Sequence, residues 1–469
     1  MRAFFLLSAS VFAAQPLHQV IDLSAGETQT VRAVPIKLVS ITALRDPVEN
    51  AVRQAEARIE VDGRAVTLRC GNYELPVTVG KVQVDCPISR DLYSNSNDDS
   101  WGLAKDARIR VWPAGSDWID PATFGYPVRQ RWFATQTQMS NEPTYVDHGE
   151  TWKRRRIYYH SGLDIGGAEG MAEIVAATDG QIVSLGRDVL AGHEKDTPVD
   201  KRYDVIYLLD DRGWYYRYSH LHSFDPSLKL GARVKRGERM GLLGKEGGSG
   251  GWTHLHFEIK SRQPSSKWGT EEGYAFLWQA YLREHRPPVI AVARPHRVAL
   301  IGEKAPLDAS RSWAEVGIAR YEWTLSNGAK ARGARVERSY AKAGTYSEIL
   351  KVTDKRGRVA YDFAVVDILD PSRRDYAPES IHATFHPTMG IKAGQPVTFQ
   401  VRTFGTTDGA EIWNFGDRSA PVTTRSDGNV KMLAKDGYAI TRHSFARPGD
   451  YLVSVGRGVA TTHLWVRVE

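Results

Sequence analysis

The stretch from residue 251 to residue 259, Gly-Trp-Thr-His-Leu-His-Phe-Glu-Ile, constrains the fold more than any other part of the chain. Its polar and apolar residues alternate, which is the period of a β-strand. Successive side chains of a strand point to opposite faces, so His254 and His256 share one face while Leu255 and Phe257 share the other. We therefore predict a rigid strand with one face in a hydrophobic core and two imidazoles on the opposite face.

The length and composition of the chain indicate several β-rich domains. At about one domain per 150 residues, 469 residues correspond to three or four. The 25% of charged residues and 42% of hydrophobic residues are typical of folded protein. Short alternating segments separated by turns predict an all-β, multidomain fold, with short helices at residues 47–56 and 267–284. The predicted segments are a signal peptide (1–14), an N-terminal β-rich domain (15–140), an antiparallel β-sheet domain (150–265), a helical connector (266–288) and two β-sandwiches (289–370 and 380–469).

The first residues predict export. Arg2 precedes an apolar run over residues 3–12, and small residues follow, as in a secretory signal peptide. No later apolar run is long enough for a transmembrane helix, so we expect a secreted, periplasmic or cell-envelope protein. In an oxidising compartment Cys70 and Cys86 could form a disulfide, although two buried thiols are the alternative.

The charge of the chain bears on its partners. A net charge of +7, spread widely along the sequence, favours polyanions only mildly. We predict no nucleic-acid partner and expect a monomer.

The middle of the chain contains the residues that are candidates for metal binding and catalysis. Five side chains that can bind a metal or move a proton occur there: His160, Asp164, His220, His254 and His256. A catalytic zinc typically takes three His or carboxylate ligands and leaves a fourth position for water. His160, Asp164 and one of the paired histidines would supply N, O and N, a set that suits zinc better than calcium or magnesium. If His256 is the third ligand, His254 and His220 are placed to exchange protons with the water at neutral pH. The combination predicts amide hydrolysis.

These motifs resemble those of the lysostaphin and LytM-type zinc endopeptidases of family M23. His160-x-x-x-Asp164 matches the family's His-x-x-x-Asp motif, Tyr218-Ser219-His220-Leu221 matches its Tyr-x-His-Leu element, and residues 251–258 match its His-Leu-His-Phe-Glu segment. The resemblance implies zinc on His160, Asp164 and His256, with His220 and His254 as general base or transition-state stabiliser. It also implies a peptidoglycan substrate, cut in the stem peptide or the cross-bridge.

Several alternatives stay open at the level of sequence. The chain departs from the family in having Trp252 and Thr253 where Gly-Pro is frequent, which bears on cleavage specificity. Some relatives have lost metal ligands and act as cell-wall-binding proteins or amidase activators, and others cut glycine-rich extracellular protein. His222 competes with His220 for the catalytic role, and Glu258 is a candidate for orienting an imidazole. Asp147 and His148 are candidates for capping the metal in a latent form.

The C-terminal half nearly repeats itself. Ser-Tyr-Ala-Lys-Ala-Gly-Thr-Tyr at residues 339–346 corresponds to Ser-Phe-Ala-Arg-Pro-Gly-Asp-Tyr at residues 444–451, and each copy has an upstream tryptophan, Trp323 or Trp413. Residues 413–417, Trp-Asn-Phe-Gly-Asp, are similar to the signature of PKD domains. The resemblance implies two immunoglobulin-like sandwiches that act as spacers or attachment modules.

Overall fold

The computed structural model describes residues 16–45, 50–93, 100–146, 156–370, 372, 379–406 and 410–469. The proposed signal peptide, Asp147 and His148 lie outside the described residues. The regular structure of the described chain is almost entirely β-strand, in sheets that are antiparallel apart from the parallel pairing of Arg297–Leu300 with Val359–Leu369, which confirms the all-β, multidomain prediction. Among the described residues, no helix has the length and apolar character needed to cross a membrane.

The N-terminal domain is a sandwich of two four-stranded sheets. In spatial order, the first contains Gln19–Leu23, Ala107–Pro113, Val82–Ser89 and Val77–Val79, and the second contains Thr28–Val31, Val34–Arg45, Val52–Val61 and Arg64–Arg69. A one-turn helix, Arg90–Tyr93, follows the first sheet's third strand in the chain. The helix predicted over residues 47–56 is wrong where the structure describes the segment, from residue 50 onward, because the alternating burial of Ala55, Ala57, Ile59 and Val61 belongs to a strand.

This domain contains a tight hairpin turn and two buried cysteines. The hairpin after Val52–Val61 turns at Asp62 and Gly63, whose φ values of 50° and 74° are those of the tight turn that such a pair favours. Cys70 and Cys86 are buried free thiols with their sulfur atoms 3.1 Å apart. Both cysteines belong to the hydrophobic core of this domain.

The middle domain is built on a nine-stranded sheet. Its main path runs Asp188–Val189, Gly180–Leu185, Ile206–Leu209, Tyr215–Ser219, His254–Arg262, Leu163–Gly166 and Thr137–Gln138, with Arg233–Val234 and Trp268–Glu271 attached beside it. A three-stranded sheet of Glu173–Val175, Arg239–Leu243 and Leu221–Phe224 accompanies it, and Pro143–Val146 pairs with Arg156–Tyr159. The His-x-His strand is therefore central in its sheet, as its alternating pattern requires.

The core of the middle domain draws on more of the chain than residues 150–265. Ile119, Phe124 and Met139 pack in it from the N-terminal side, and so does the helix Tyr274–His285. This helix is shorter than the predicted segment 267–284, because Trp268–Glu271 pairs as a strand with His254–Arg262. One apolar core thus joins the sheet, the helix and the segment that leads out of the N-terminal domain.

Two sandwiches complete the chain. The first C-terminal domain contains Val289–Ile290, Arg297–Leu300, Lys304–Asp308, Trp313–Ala314, Ile318–Thr324, Lys330–Arg332, Arg335–Ser339, Gly344–Asp354 and Val359–Leu369. The second contains Ser380–His386, Pro396–Phe404, Glu411–Asn414, Val422–Thr424, Ala439–Ser444, Gly449–Arg457 and Ala460–Val468. Trp323 and Trp413 are 1% and 0% exposed, so the repeated tryptophans are core residues in both copies.

Candidate active site

The five candidate side chains meet on one face of the central sheet. His254–Arg262 pairs on one side with Leu163–Gly166, which places His256 opposite Asp164, and on the other with Tyr215–Ser219, which places His256 opposite Ser219. Leu255 and Phe257 point to the opposite face and are fully buried there. The alternation of the sequence thus separates the polar cluster from the core.

Three donor atoms form a tight triangle. His160 Nε2 lies 3.1 Å from Asp164 Oδ1 and 3.1 Å from His256 Nδ1, and His256 Nδ1 lies 2.8 Å from Asp164 Oδ1. Tetrahedral zinc with ligands at about 2.0–2.2 Å requires donors about 3.3 Å apart. These three residues therefore fit a metal ion of zinc's size and ligand preference.

A glycine allows His160 and Asp164 to reach one point. Gly162 has a φ of +81°, which residues with a Cβ rarely adopt. A Cβ at this position would lie 3.0 Å from the carbonyl oxygen of Phe257 and 3.2 Å from His256 Cε1. Close packing against the central strand therefore excludes a side chain between the two donors.

His254 is held as a neutral imidazole beside the triangle. Its Nδ1 lies 3.1 Å from the carbonyl oxygen of Trp252, which can only accept, so Nδ1 carries the proton. Nε2 lies 3.4 Å from Asp164 Oδ2 and faces the triangle with its lone pair. Burial lowers the pKa of His254 well below its ordinary value, although the Asp164 carboxylate opposes this shift. The side chain is therefore neutral at neutral pH, with its Nε2 unprotonated.

His220 approaches from a kink between two strands. Its φ of +67° turns the backbone, and its amide donates to Asp204 Oδ2 at 3.0 Å. Nδ1 lies 2.6 Å from the carbonyl oxygen of Glu246, which fixes the proton on Nδ1 as in His254. The ring centroids of His220 and His254 are 4.6 Å apart. Burial lowers the pKa of His220, against the effect of the Asp204 carboxylate.

The structure also shows where Glu258 and His222 lie relative to the five clustered side chains. Glu258 is buried with Oε2 3.9 Å from His256 Nε2, on the side away from the triangle. Although burial opposes it, Lys260 and His256 hold the pKa of Glu258 well below its usual range, so it faces the imidazole as a carboxylate. The side chain of His222 is 46% exposed and lies 3.8 Å from Glu169, outside the five-residue cluster. The geometry therefore favours His220 over His222.

The second C-terminal domain holds the glycine-rich loop that leads into the central strand. Arg402 is fully buried, pairs with Asp427 at 2.8 Å and donates to the carbonyl oxygen of Gly251 at 2.5 Å. Asn429 donates to the carbonyl oxygen of Gly250 at 3.2 Å. This domain therefore fixes the backbone just before the two histidines.

Trp252 connects that domain to the cluster. Its ring stacks on His254 with centroids 3.9 Å apart, and it meets His382 of the second C-terminal domain edge to face at 5.2 Å. The hydroxyl of Tyr438 accepts from the amide of Thr253 at 3.0 Å and donates to His382 Nδ1 at 2.8 Å. The residue pair that departs from the family pattern thus also touches the neighbouring domain.

Sequence reasoning missed Asp204, Trp252 and the residues of the second C-terminal domain as parts of this site. Asp204 lies in a charged segment without a recognisable motif, and only the fold brings it to His220. The Trp252-Thr253 departure was a usable signal, because a bulky aromatic residue two positions from a histidine on a strand lies on the same face.

Comparison with known proteins supports the resemblance. The model of peptidase family M23 matches residues 158–267, and two models of PKD domains match residues 285–367 and 382–457.

Solved structures are only distantly similar. The D00-D0 domain of intimin is 13% identical, covering 38% of this chain and 96% of its own, with a TM-score of 0.16. Helicobacter pylori Csd3 in its orthorhombic crystal is 15% identical, covering 52% of this chain and 82% of its own, with a TM-score of 0.20. Fibronectin(III)-like modules of Clostridium thermocellum CbhA are 11% identical, covering 39% of this chain and 94% of theirs, with a TM-score of 0.15. TM-scores this low carry no argument about fold or function.

Members of family M23 are metallopeptidases, and the matched segment contains all five clustered side chains. The chain thus carries a family M23 peptidase domain at residues 158–267, followed by two PKD domains.

Proposed function

We propose that this protein is an exported, zinc-dependent endopeptidase that hydrolyses peptide bonds of peptidoglycan. The observation that carries the proposal is the triangle of His160 Nε2, Asp164 Oδ1 and His256 Nδ1, with edges of 2.8–3.1 Å. Zinc held there would supply Lewis-acid activation of water and of the substrate carbonyl. Export is supported by the PKD domains, which are typical of extracellular proteins.

The roles of the two remaining histidines follow from their protonation. His254 and His220 both present an unprotonated Nε2, because carbonyl oxygens hold the proton on Nδ1 in each. One can take the proton of the attacking water, and the protonated imidazole can then donate to the leaving amine or to the developing oxyanion. His254, whose Nε2 faces the triangle, is the better placed to act as the base.

The test is digestion of isolated peptidoglycan by the purified full chain, with and without a zinc chelator. We expect soluble fragments with new amino termini by mass spectrometry, lost on chelation and restored by added zinc. His254→Ala should bind zinc but release no fragments.

The same assay separates the competing functions. A cell-wall-binding or activator protein would bind peptidoglycan without releasing fragments, whether or not the chelator is present. A protease of glycine-rich extracellular protein would cut elastin-like peptides but leave peptidoglycan intact. Either outcome would overturn the proposal.

A further inference from the structure

A cavity of about 520 Å³ lies between all four domains. Arg53 lines it from the N-terminal domain, Glu142 and Trp252 from the middle domain, Arg297 from the first C-terminal domain and His382 from the second. Its volume falls within the range of small-ligand and peptide pockets, about 300–1,000 Å³. The cavity is distinct from the donor triangle.

Arg297 lies in the wall of this cavity with two carboxylates, Asp308 and Glu142, close enough to act on its charge. It is half-buried, and within the described part of the chain its guanidinium makes neither a hydrogen bond nor an ion pair. Burial, together with Arg311, lowers the pKa of Arg297 to about 10, although Asp308 and Glu142 oppose the shift. A guanidinium withdrawn from water without a directly paired anion is unfavourable, and a carboxylate would complete it with two parallel hydrogen bonds.

Glu142 contributes a buried carboxyl to the lining of the same cavity. It is 7% exposed, and its Oε2 accepts from the amide of Met139 at 2.7 Å. Its Oε1 is buried and accepts no hydrogen bond of good geometry within the described residues. Burial raises the pKa of this carboxyl to about 7, although the backbone N–H groups of Met139 and His296 oppose the shift. Buried polar atoms are almost always paired, so this oxygen lacks a donor that an occupant of the cavity could supply.

The charged lining as a whole favours an anion. Its described basic members are Arg45, Arg53, Arg297 and Lys304, and its acidic members are Glu142, Glu303 and Asp367. Glu303 and Asp367 already accept hydrogen bonds from the amide of Leu300 and the hydroxyl of Thr345. Arg45 donates to the carbonyl oxygen of Asn50, Lys304 pairs with Glu337 and Arg53 also has an interaction. Within the described residues, Arg297 and Oε1 of Glu142 are the cation and the acceptor of this lining that make no direct hydrogen bond.

Trp252 joins the cavity to the catalytic cluster. One indole both lines the cavity and stacks on His254 at 3.9 Å. The cavity and the candidate active site therefore share the indole of Trp252, which covers the buried imidazole of His254.

We propose that this cavity binds a peptide with a free carboxylate, which pairs with Arg297 while an N–H group of the same peptide donates to Glu142. The proposal that the cavity binds such a peptide depends only on the cavity and its lining residues. The cavity's role as a specificity subsite for cleavage rests on the function proposed above.

The test is titration calorimetry with two synthetic probes, the peptide Ala-Glu-Lys-Ala and the same peptide with both carboxylates amidated. The full chain is treated with a zinc chelator so that neither probe is cut. We expect the free-acid peptide to bind about tenfold more tightly than the amide, as charge-assisted hydrogen bonds imply. Arg297→Gln should remove this preference, whereas Arg320→Gln, an exposed change in the same domain, should preserve it.

The melting temperature serves as the folding control. Arg297→Gln should change it little, because within the described residues the guanidinium makes no hydrogen bond or ion pair. Arg53→Gln, from the N-terminal domain, serves as a second variant and should weaken the preference. Equal affinity for the two peptides, absence of binding, or equal losses in Arg297→Gln and Arg320→Gln would each refute the subsite.

Digestion of peptidoglycan distinguishes the two proposals. If wild type digests the wall and Arg297→Gln does so with unchanged KM, the subsite is wrong and the proposed function stands. If the acid preference depends on Arg297 but wild type releases no fragments, the subsite stands and the proposed function is wrong. If both are right, Arg297→Gln raises KM with little change in kcat.

Discussion

Gly251→Ala tests whether the second C-terminal domain holds the catalytic strand in place. Gly251 has a φ of +86°, and a Cβ there would lie 2.0 Å from Asn429 Oδ1 and 3.0 Å from the Arg402 guanidinium. The substitution therefore introduces backbone strain and pushes the neighbouring domain away from the loop. Gly213→Ala is a matched control, because Gly213 has a φ of +80° and a Cβ there meets nothing within 4 Å.

The magnitudes follow from these contacts. Left-handed backbone costs a non-glycine residue about 1–2 kcal/mol, and this applies to both variants. Displacing Asn429 also loses its hydrogen bond to the carbonyl oxygen of Gly250, about 1 kcal/mol. We expect Gly251→Ala to lower the free energy of unfolding by about 2–3 kcal/mol and Gly213→Ala by about 1–2 kcal/mol.

The larger difference should be in catalysis. The loop carries Trp252 and leads directly into His254, and displacement of a catalytic group by about 1 Å can cost roughly a hundredfold in rate. We expect kcat for peptidoglycan to fall at least tenfold in Gly251→Ala and to be unchanged in Gly213→Ala. Urea unfolding and fragment release measure the two effects.

Asn429→Ala completes a double-mutant cycle. Because it removes the clashing side chain, the Gly251→Ala/Asn429→Ala protein should recover most of the activity lost in Gly251→Ala. Equal activity of the Gly251→Ala and Gly213→Ala proteins, or additive effects in the cycle, would refute the coupling between the domains.

Three further predictions follow from the site and the domain contacts. His256→Ala should lose bound zinc whereas His254→Ala should retain it and lose turnover; equal zinc loss by elemental analysis in both would contradict their division of roles. Burial, with Arg294 nearby, lowers the pKa of His382 to about 3, below its unfolded value of about 6.5. The contribution of neutral His382 to the free energy of unfolding is therefore complete above pH 6.5, and it declines by about 1.4 kcal/mol per pH unit from there towards pH 3. His382→Gln should therefore show a shallower loss of stability between pH 7 and pH 5 in urea titrations, and an unchanged slope would count against this. Arg110→Met should destabilise the chain by about 3–5 kcal/mol because it leaves the buried carboxylate of Asp85 without its ion pair and removes one of the two cations that face Glu271, which keeps His18, while the exposed Arg64→Met should have little effect.

Much of the candidate site could be predicted because its signals are local. The spacing of His160, Gly162 and Asp164 places two donors around one bend, and the interval of two between His254 and His256 places both on one strand face. The assignment of Cys70 and Cys86 to one β region also agrees with sulfur atoms 3.1 Å apart. By contrast, residues 47–56 were predicted as a helix because their polar residues concealed the two-residue period that continues to Val61.

The sequence by itself determined the candidate metal donors, the all-β character and the repeated C-terminal sandwiches, because each depends on spacing within a short segment. Only the tertiary structure decided which side chains surround that cluster. Asp204 reaches His220, Arg402 reaches Gly251 and Arg297 reaches the cavity through contacts between residues far apart in the chain. No local periodicity encodes such contacts, because they depend on how whole domains pack. The docking of the second C-terminal domain against Trp252 is therefore a property of the fold.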